Sequence, residues 1–214
     1  MLKYSMAMVA AVVLILSGCI GSKPEQDLYT IFEKAATQEK SFSQQASTFE
    51  SLGQKDKDLY AKILQQGKDN NSSVQPIITE ALQVLDQREK ALDSEMDVLK
   101  NAQKEMKDAD SKANQISDTK LKEQAKKVEK LYNDRYNSFT EMYDSYKKAF
   151  QSEKSLYSML ENKDEKLKAI SDKVKETNGL YKDAEVKIDQ FNNLTNDYNK
   201  EKMDFYKAAN LNVK

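Results

Sequence analysis

Apolar residues recur three and four positions apart over very long stretches of this chain, and almost nothing interrupts them. From Ser22 onward the only breakers are Pro24, Pro76, Gly53, Gly67 and Gly179. One segment reads Leu121, Ala125, Val128, Tyr132, Arg135, Phe139, Met142, Tyr146, Ala149, Glu153, Leu156 and Leu160, and ten of these twelve positions are apolar or aromatic. A stripe with that spacing leaves water only by lying against other helices. No sustained alternation of Val, Ile, Thr and aromatics competes with it, so strands are not expected. The fold class is all-α.

Three further segments carry the same stripe. The first runs through Leu28, Phe32, Ala35, Glu39, Phe42, Ala46, Phe49, Gly53, Asp56, Tyr60 and Ile63; the second through Ile78, Leu82, Leu85, Leu92, Met96, Leu99 and Met106. The fourth runs from Leu167 and Ile170 through Tyr181, Ala184, Ile188, Phe191 and Tyr198 to Phe205 and Ala209. Ser22-Lys23-Pro24-Glu25 reads as a capping box, Ser73 as a cap with Pro76 in the first turn behind it, and Asn162-Lys163-Asp164-Glu165 as another cap. Gly67 closes the first segment, and Asn114 to Asp118 separates the second from the third. Helices are therefore expected near 23–67, 74–113, 119–161 and 164–210. Each is about 60 Å long at 1.5 Å per residue. Short connections make successive helices antiparallel, giving an elongated four-helix up-and-down bundle. A three-helix bundle with one broken helix is the alternative, and Gly53 and Asn178-Gly179 are the expected kink positions.

Charged residues on these stripes include Glu39, Glu89, Arg135 and Glu153. In an antiparallel bundle Glu39 and Arg135 stand at about 21 and 24 Å from the same end, so they are a predicted structural pair that fixes helix register. The alternative is that each side chain extends past the seam edge to solvent.

The N-terminus is an address rather than part of the fold. Lys3 gives a positive start, and Met6 to Leu16 is an apolar run too short for a membrane span and of the length of a signal-peptide core. Leu16-Ser17-Gly18-Cys19 then resembles the lipobox of bacterial lipoproteins, and Cys19 is the only cysteine in the chain. Cleavage between Gly18 and Cys19, with diacylglycerol on the Cys19 sulfur, would anchor the mature protein in the membrane. The expected organisation is a signal peptide over 1–18, the lipidated cysteine and a linker over 19–22, one helical domain over 23–210 and a tail over 211–214. Only two arginines, Arg88 and Arg135, among abundant Lys and Asn suggest an AT-rich genome and hence a Gram-positive cell. The expected location is the outer face of that cell's membrane.

Composition narrows the function. Lys and Arg number 34 against 35 Asp and Glu, so a formal charge of −1 gives no net attraction to nucleic acid. The chain has no histidine and a single cysteine, which excludes imidazole catalysis and the usual zinc, copper and haem sites. No Gly-rich phosphate loop occurs. No catalytic residue, metal or cofactor is expected beyond the covalent lipid. The third segment also carries Tyr136 and Tyr143 off its strict seam, and these are candidate surface aromatics for stacking on sugar rings; packing in the core is the other reading.

The stretch Leu131-Tyr132-Asn133-Asp134-Arg135-Tyr136, then Tyr143-Asp144-Ser145-Tyr146-Lys147-Lys148-Ala149-Phe150, Leu156 to Leu160, and the terminal Asp204-Phe205-Tyr206-Lys207-Ala208-Ala209 resemble the YkyA-like cell-wall-binding lipoproteins of Bacilli. The resemblance runs over nearly all of the mature chain. It implies a lipid-anchored, four-helical up-and-down bundle outside the membrane, and it transfers no binding or catalytic residue. Two functions remain open. One is an envelope module that binds peptidoglycan or another envelope protein without catalysis. The other is an accessory subunit that docks by helix packing onto a membrane transport or secretion complex.

Overall fold

A computed structural model describes residues 23–66 and 71–211. Among them there are helices and turns and no strand, in an all-α bundle of four long arms. The first arm is α1 (Pro24–Gln38) and α2 (Phe42–Gln66); the second is α3 (Asn71–Glu105) and α4 (Ala109–Asn114). The third and fourth are single helices, α5 (Thr119–Glu161) and α6 (Leu167–Ala208). Four arms exclude the three-helix alternative.

The ends follow local chemistry. Asp118 caps α5 by accepting the Leu121 N–H at 2.9 Å, which satisfies one of the orphan donors of the first turn. At the far end of α6, Asn210 takes a left-handed φ of 53°. This lets the N–H groups of Asn210 and Leu211 reach back to the carbonyls of Lys207 and Tyr206 at 3.1 and 2.9 Å. Three expected starts move. α1 begins at Pro24 behind Lys23, with no side-chain cap; α3 begins at Asn71, which puts Pro76 inside the helix; and α6 begins at Leu167 behind Lys166. Polar residues near a helix start signal a cap, but which of several becomes the cap depends on the turn that precedes it.

The interruptions are not at glycines. α2 runs unbroken through Gly53 and α6 through Gly179. Instead both of the first two arms tighten into one 3-10 turn, at Glu39–Ser41 and Met106–Asp108. The two turns lie level: Gln38 beside one donates to Glu105 beside the other at 3.5 Å. A Cβ at Gly179 would meet nothing within 4 Å. Gly179→Ala should therefore stabilise the protein by about 0.5–1 kcal/mol through helix propensity alone. Urea unfolding measures this, and a destabilised variant would mean that the position is constrained by something other than its own helix.

Two apolar cores follow one another along the rod. One joins Leu28, Phe32 and Ala35 of α1 to Met106 and Ala113 of the second arm, to Val128 and Tyr132 of α5, and to Phe205 and Tyr206 of α6. The other joins Leu59 and Ile63 of α2 to Ile78, Leu85, Leu92 and Leu99 of α3, to Phe139, Phe150 and Tyr157 of α5, and to Ala184 and Phe191 of α6. No described helix is long and apolar enough to cross a membrane.

Candidate functional site

The first arm does not close on the fourth along its whole length. Leu59 and Ile63 near the end of α2 are buried, yet Phe42, Ala46 and Phe49 on the same stripe are only half-buried. Beside them α2 stands off from α6, and a cleft of about 1280 Å³ opens between the two helices, lined also by residues of α3 and α5. Its lining mixes aromatic rings with buried charge.

At one end of the cleft sits Arg88 of α3, whose Nη1 donates to Asp56 Oδ2 of α2 at 2.6 Å and to the Tyr181 hydroxyl at 3.2 Å. Glu153 Oε2 of α5 lies 4.0 Å from the same nitrogen. Tyr181 donates to Glu153, and Tyr157 donates to Asp56 at 3.0 Å. The guanidinium also lies over the rings of Phe49, Phe150 and Tyr181, 5.1 to 5.5 Å from their centroids. Gly53 makes room for it: a Cβ there would come to 3.4 Å from Nη2. Two carboxylates and one guanidinium thus share a site removed from water. Burial and then the nearby Asp56 charge push the Glu153 carboxyl above the ordinary carboxylate range. Burial also raises the Tyr157 and Tyr181 hydroxyls, and Glu153 adds to both, so they stay protonated donors.

Two turns further along α3 the cleft contains Glu95. The residue is only 4% exposed, and its Oε1 has no hydrogen-bond partner. Burial alone raises its pKa from 4.5 to about 7. A raised carboxyl favours the folded state while it is protonated and loses that advantage as pH climbs through the folded value. Stability should therefore fall between about pH 4.5 and 7, with Glu153 acting in the same sense. Glu95→Gln removes the Glu95 part: at pH 8 the variant should be more stable than the parent by on the order of 2–3 kcal/mol, and near pH 4 the two should match. Denaturant melts at the two pH values check this. Equal stability at pH 8 would show that water reaches the carboxylate.

A second buried charge cluster lies between the two cores. Arg135 Nη1 and Nη2 donate to the two carboxylate oxygens of Glu39 at 2.9 and 2.8 Å, and its Nε donates to Thr195 Oγ1 at 2.9 Å. Tyr132 donates to Glu39 at 3.0 Å. Glu39 belongs to the 3-10 turn of the first arm, so this fork ties that turn to α5 and α6. Glu89, the remaining charged seam position, is half-buried and pairs outside the core with Lys147 and Lys154.

Tyr136 and Tyr143 are half-buried and pack against the second core, and Tyr143 donates to Asp93 at 2.8 Å with Lys147 over its ring. Neither is a free ring on the surface. Gly18 and Cys19 lie outside the described residues. Sequence reasoning missed Arg88 and Glu95. One signal for Arg88 was available: the chain's two arginines, Arg88 and Arg135, are also its two buried cations among the described residues. Guanidinium is the cation that tolerates burial and paired donors best. Nothing in the local sequence marked Glu95.

Comparison with known proteins places this architecture. A family model described as "Putative cell-wall binding lipoprotein", YkyA, matches residues 23–208. The chain belongs to the YkyA family. A relative in Bacillus subtilis (strain 168), "Uncharacterized lipoprotein YkyA", is 32% identical over 204 residues, covering 95% of this chain and 92% of the relative. The crystal structure of a conserved protein of unknown function from Staphylococcus aureus matches with a TM-score of 0.64 at 20% identity, covering 88% of this chain and 98% of that one. At that identity the likeness establishes the fold alone. The YkyA match spans both cores, both charge clusters and the cleft.

Proposed function

We propose that this protein is a lipid-anchored envelope protein that binds cell wall through the cleft between α2 and α6, without catalysis. Membership of the YkyA family supports the class, and the observation that carries the site is the opening of α2 away from α6 over a lining of rings and buried charge. The bundle's polarity suits the role. The chain enters at Pro24, at the end of the rod that also holds Thr119 and Ala208. A lipid on Cys19 leaves about 16 Å of chain before α1, which holds that end at the membrane. Counting back from Ala208, Phe191 and Val174 of the cleft then stand about 25 and 50 Å further out at 1.5 Å per residue. The cleft faces the wall side, on a stalk made by the first core.

Both cores lie within residues 28–206, so a chain of residues 20–214 keeps every packed side chain. That chain should sediment with purified sacculi, with or without their teichoic acid. Absence of sedimentation, together with one dominant protein crosslinked to the anchored form in cells, would replace wall binding with docking onto a membrane complex. Cys19→Ala should leave the precursor without acyl label and release the bundle from membranes. Unchanged acyl labelling would refute the anchor.

A further inference from the structure

The buried carboxylate of Glu95 asks for a partner that the folded chain does not provide. The residue makes no ion pair, its Oε1 is enclosed and unbonded, and it lines an open cleft rather than a sealed core. Arg88, two turns away on the same helix, is committed to Asp56 and Glu153. Around the cleft stand aromatic rings, among them Phe49 and Tyr146 in edge-to-face contact at 5.0 Å, with Phe139 and Phe191 beyond. The same walls already hold one cation, since the Arg88 guanidinium rests on three rings there. Carboxylates outnumber cations among the lining residues: Glu50, Asp56, Glu95, Glu153 and Glu185 against Lys57, Arg88 and Lys182.

We infer that Glu95 is the anchor of a site for a primary alkylammonium group, the free ω-amine of a diamino acid in a cell-wall peptide. The ammonium supplies the donors and the charge that the Glu95 carboxylate lacks, the rings flank it by cation–π contact, and the methylene stem lies along the apolar wall. A ligand of repeated phosphates suits the cleft less, because it would set anions against the acidic lining. That the amine belongs to a wall peptide rests on the proposed function; that the cleft takes an alkylammonium does not. Burial, which lifts the Glu95 pKa, also makes an incoming ammonium more effective at restoring the carboxylate.

Calorimetric titration of residues 20–214 at pH 7 tests the site. The probes are Nα-acetyl-lysine methylamide, an alanyl-glutamyl-lysine wall tripeptide and the same tripeptide acetylated on its ω-nitrogen. Saturable binding is expected for the first two, with a tenfold or greater loss on acetylation and an equal loss in Glu95→Gln. That variant is expected to melt no lower than the parent, so its loss of binding is not a loss of fold. No saturable binding of either amine, or unchanged affinity after acetylation or in Glu95→Gln, would overturn the site. Binding of D-alanylated teichoic acid in preference to the tripeptide would overturn the peptide assignment. Sedimentation with sacculi separates the two levels. If Glu95→Gln still sediments fully, wall binding stands and the assignment of the amine to a wall peptide falls; if the parent binds lysine probes but never sediments, the site stands and the wall reading falls.

Discussion

Replacing Arg88 by methionine should cost the bundle about 3–5 kcal/mol, because Asp56 and Glu153 would be left in the interior with no cation between them. The side chains of Arg88, Asp56 and Glu153 are only 9, 4 and 10% exposed, so water cannot take over the role of the guanidinium. For a chain of this size the loss corresponds to a fall in Tm on the order of 10 °C. Lysine is expected to fail as a substitute. Its ammonium can stand where Nη1 meets Asp56 and Tyr181, but it has no planar face to lie on Phe49, Phe150 and Tyr181 as the guanidinium does. The control is to neutralise the carboxylates as well. Arg88→Met combined with Asp56→Asn and Glu153→Gln should recover most of the lost stability, since the cost lies in unpaired charge rather than in missing contacts. Failure of that combination would assign the loss to packing around the guanidinium.

Arg135→Met should cost about 2–4 kcal/mol, less than Arg88→Met because Glu39 keeps partial access to water. Its consequences differ in kind. The Arg135 fork holds the 3-10 turn at Glu39–Ser41 against α5 and, through Thr195, against α6. Hydrogen exchange should therefore accelerate first in that turn and at the start of α2, before either core opens. A double-mutant cycle with Glu39→Gln should give a coupling of about 1–3 kcal/mol, as expected for a bidentate contact. Additive effects would mean that the pair is incidental to the register of the arms.

The stripes of the sequence foretold α5 almost residue by residue: from Ala125 to Leu156 every position of its seam is buried, Arg135 and Glu153 included. They foretold less elsewhere, for two physical reasons. α3 packs against the first arm and against α5, so it buries a broader face than a single seam, and in that face the step from Leu85 falls on Arg88 rather than on Glu89. A spacing of three and four cannot choose between adjacent residues when a helix is flanked on two sides. The same breadth hides Glu95 beside Met96, where only Met96 reads as core. The cleft was illegible for another reason. Phe42, Ala46 and Phe49 have the pattern of a fully packed stripe, and only the cleft they line, a property of the assembled bundle, leaves them half-buried. Likewise Tyr136 and Tyr143 lie off the narrow seam but still within reach of the second core.

Hydrogen–deuterium exchange of residues 20–214, free and bound to purified sacculi, tests the central claim most directly. Engagement through the cleft predicts slowed exchange over residues 46–57 of α2 and 177–192 of α6, with little change at the start of α5 or along the face that carries Tyr143. Protection centred on that tyrosine face, or an exchange pattern the same on and off the wall, would contradict it.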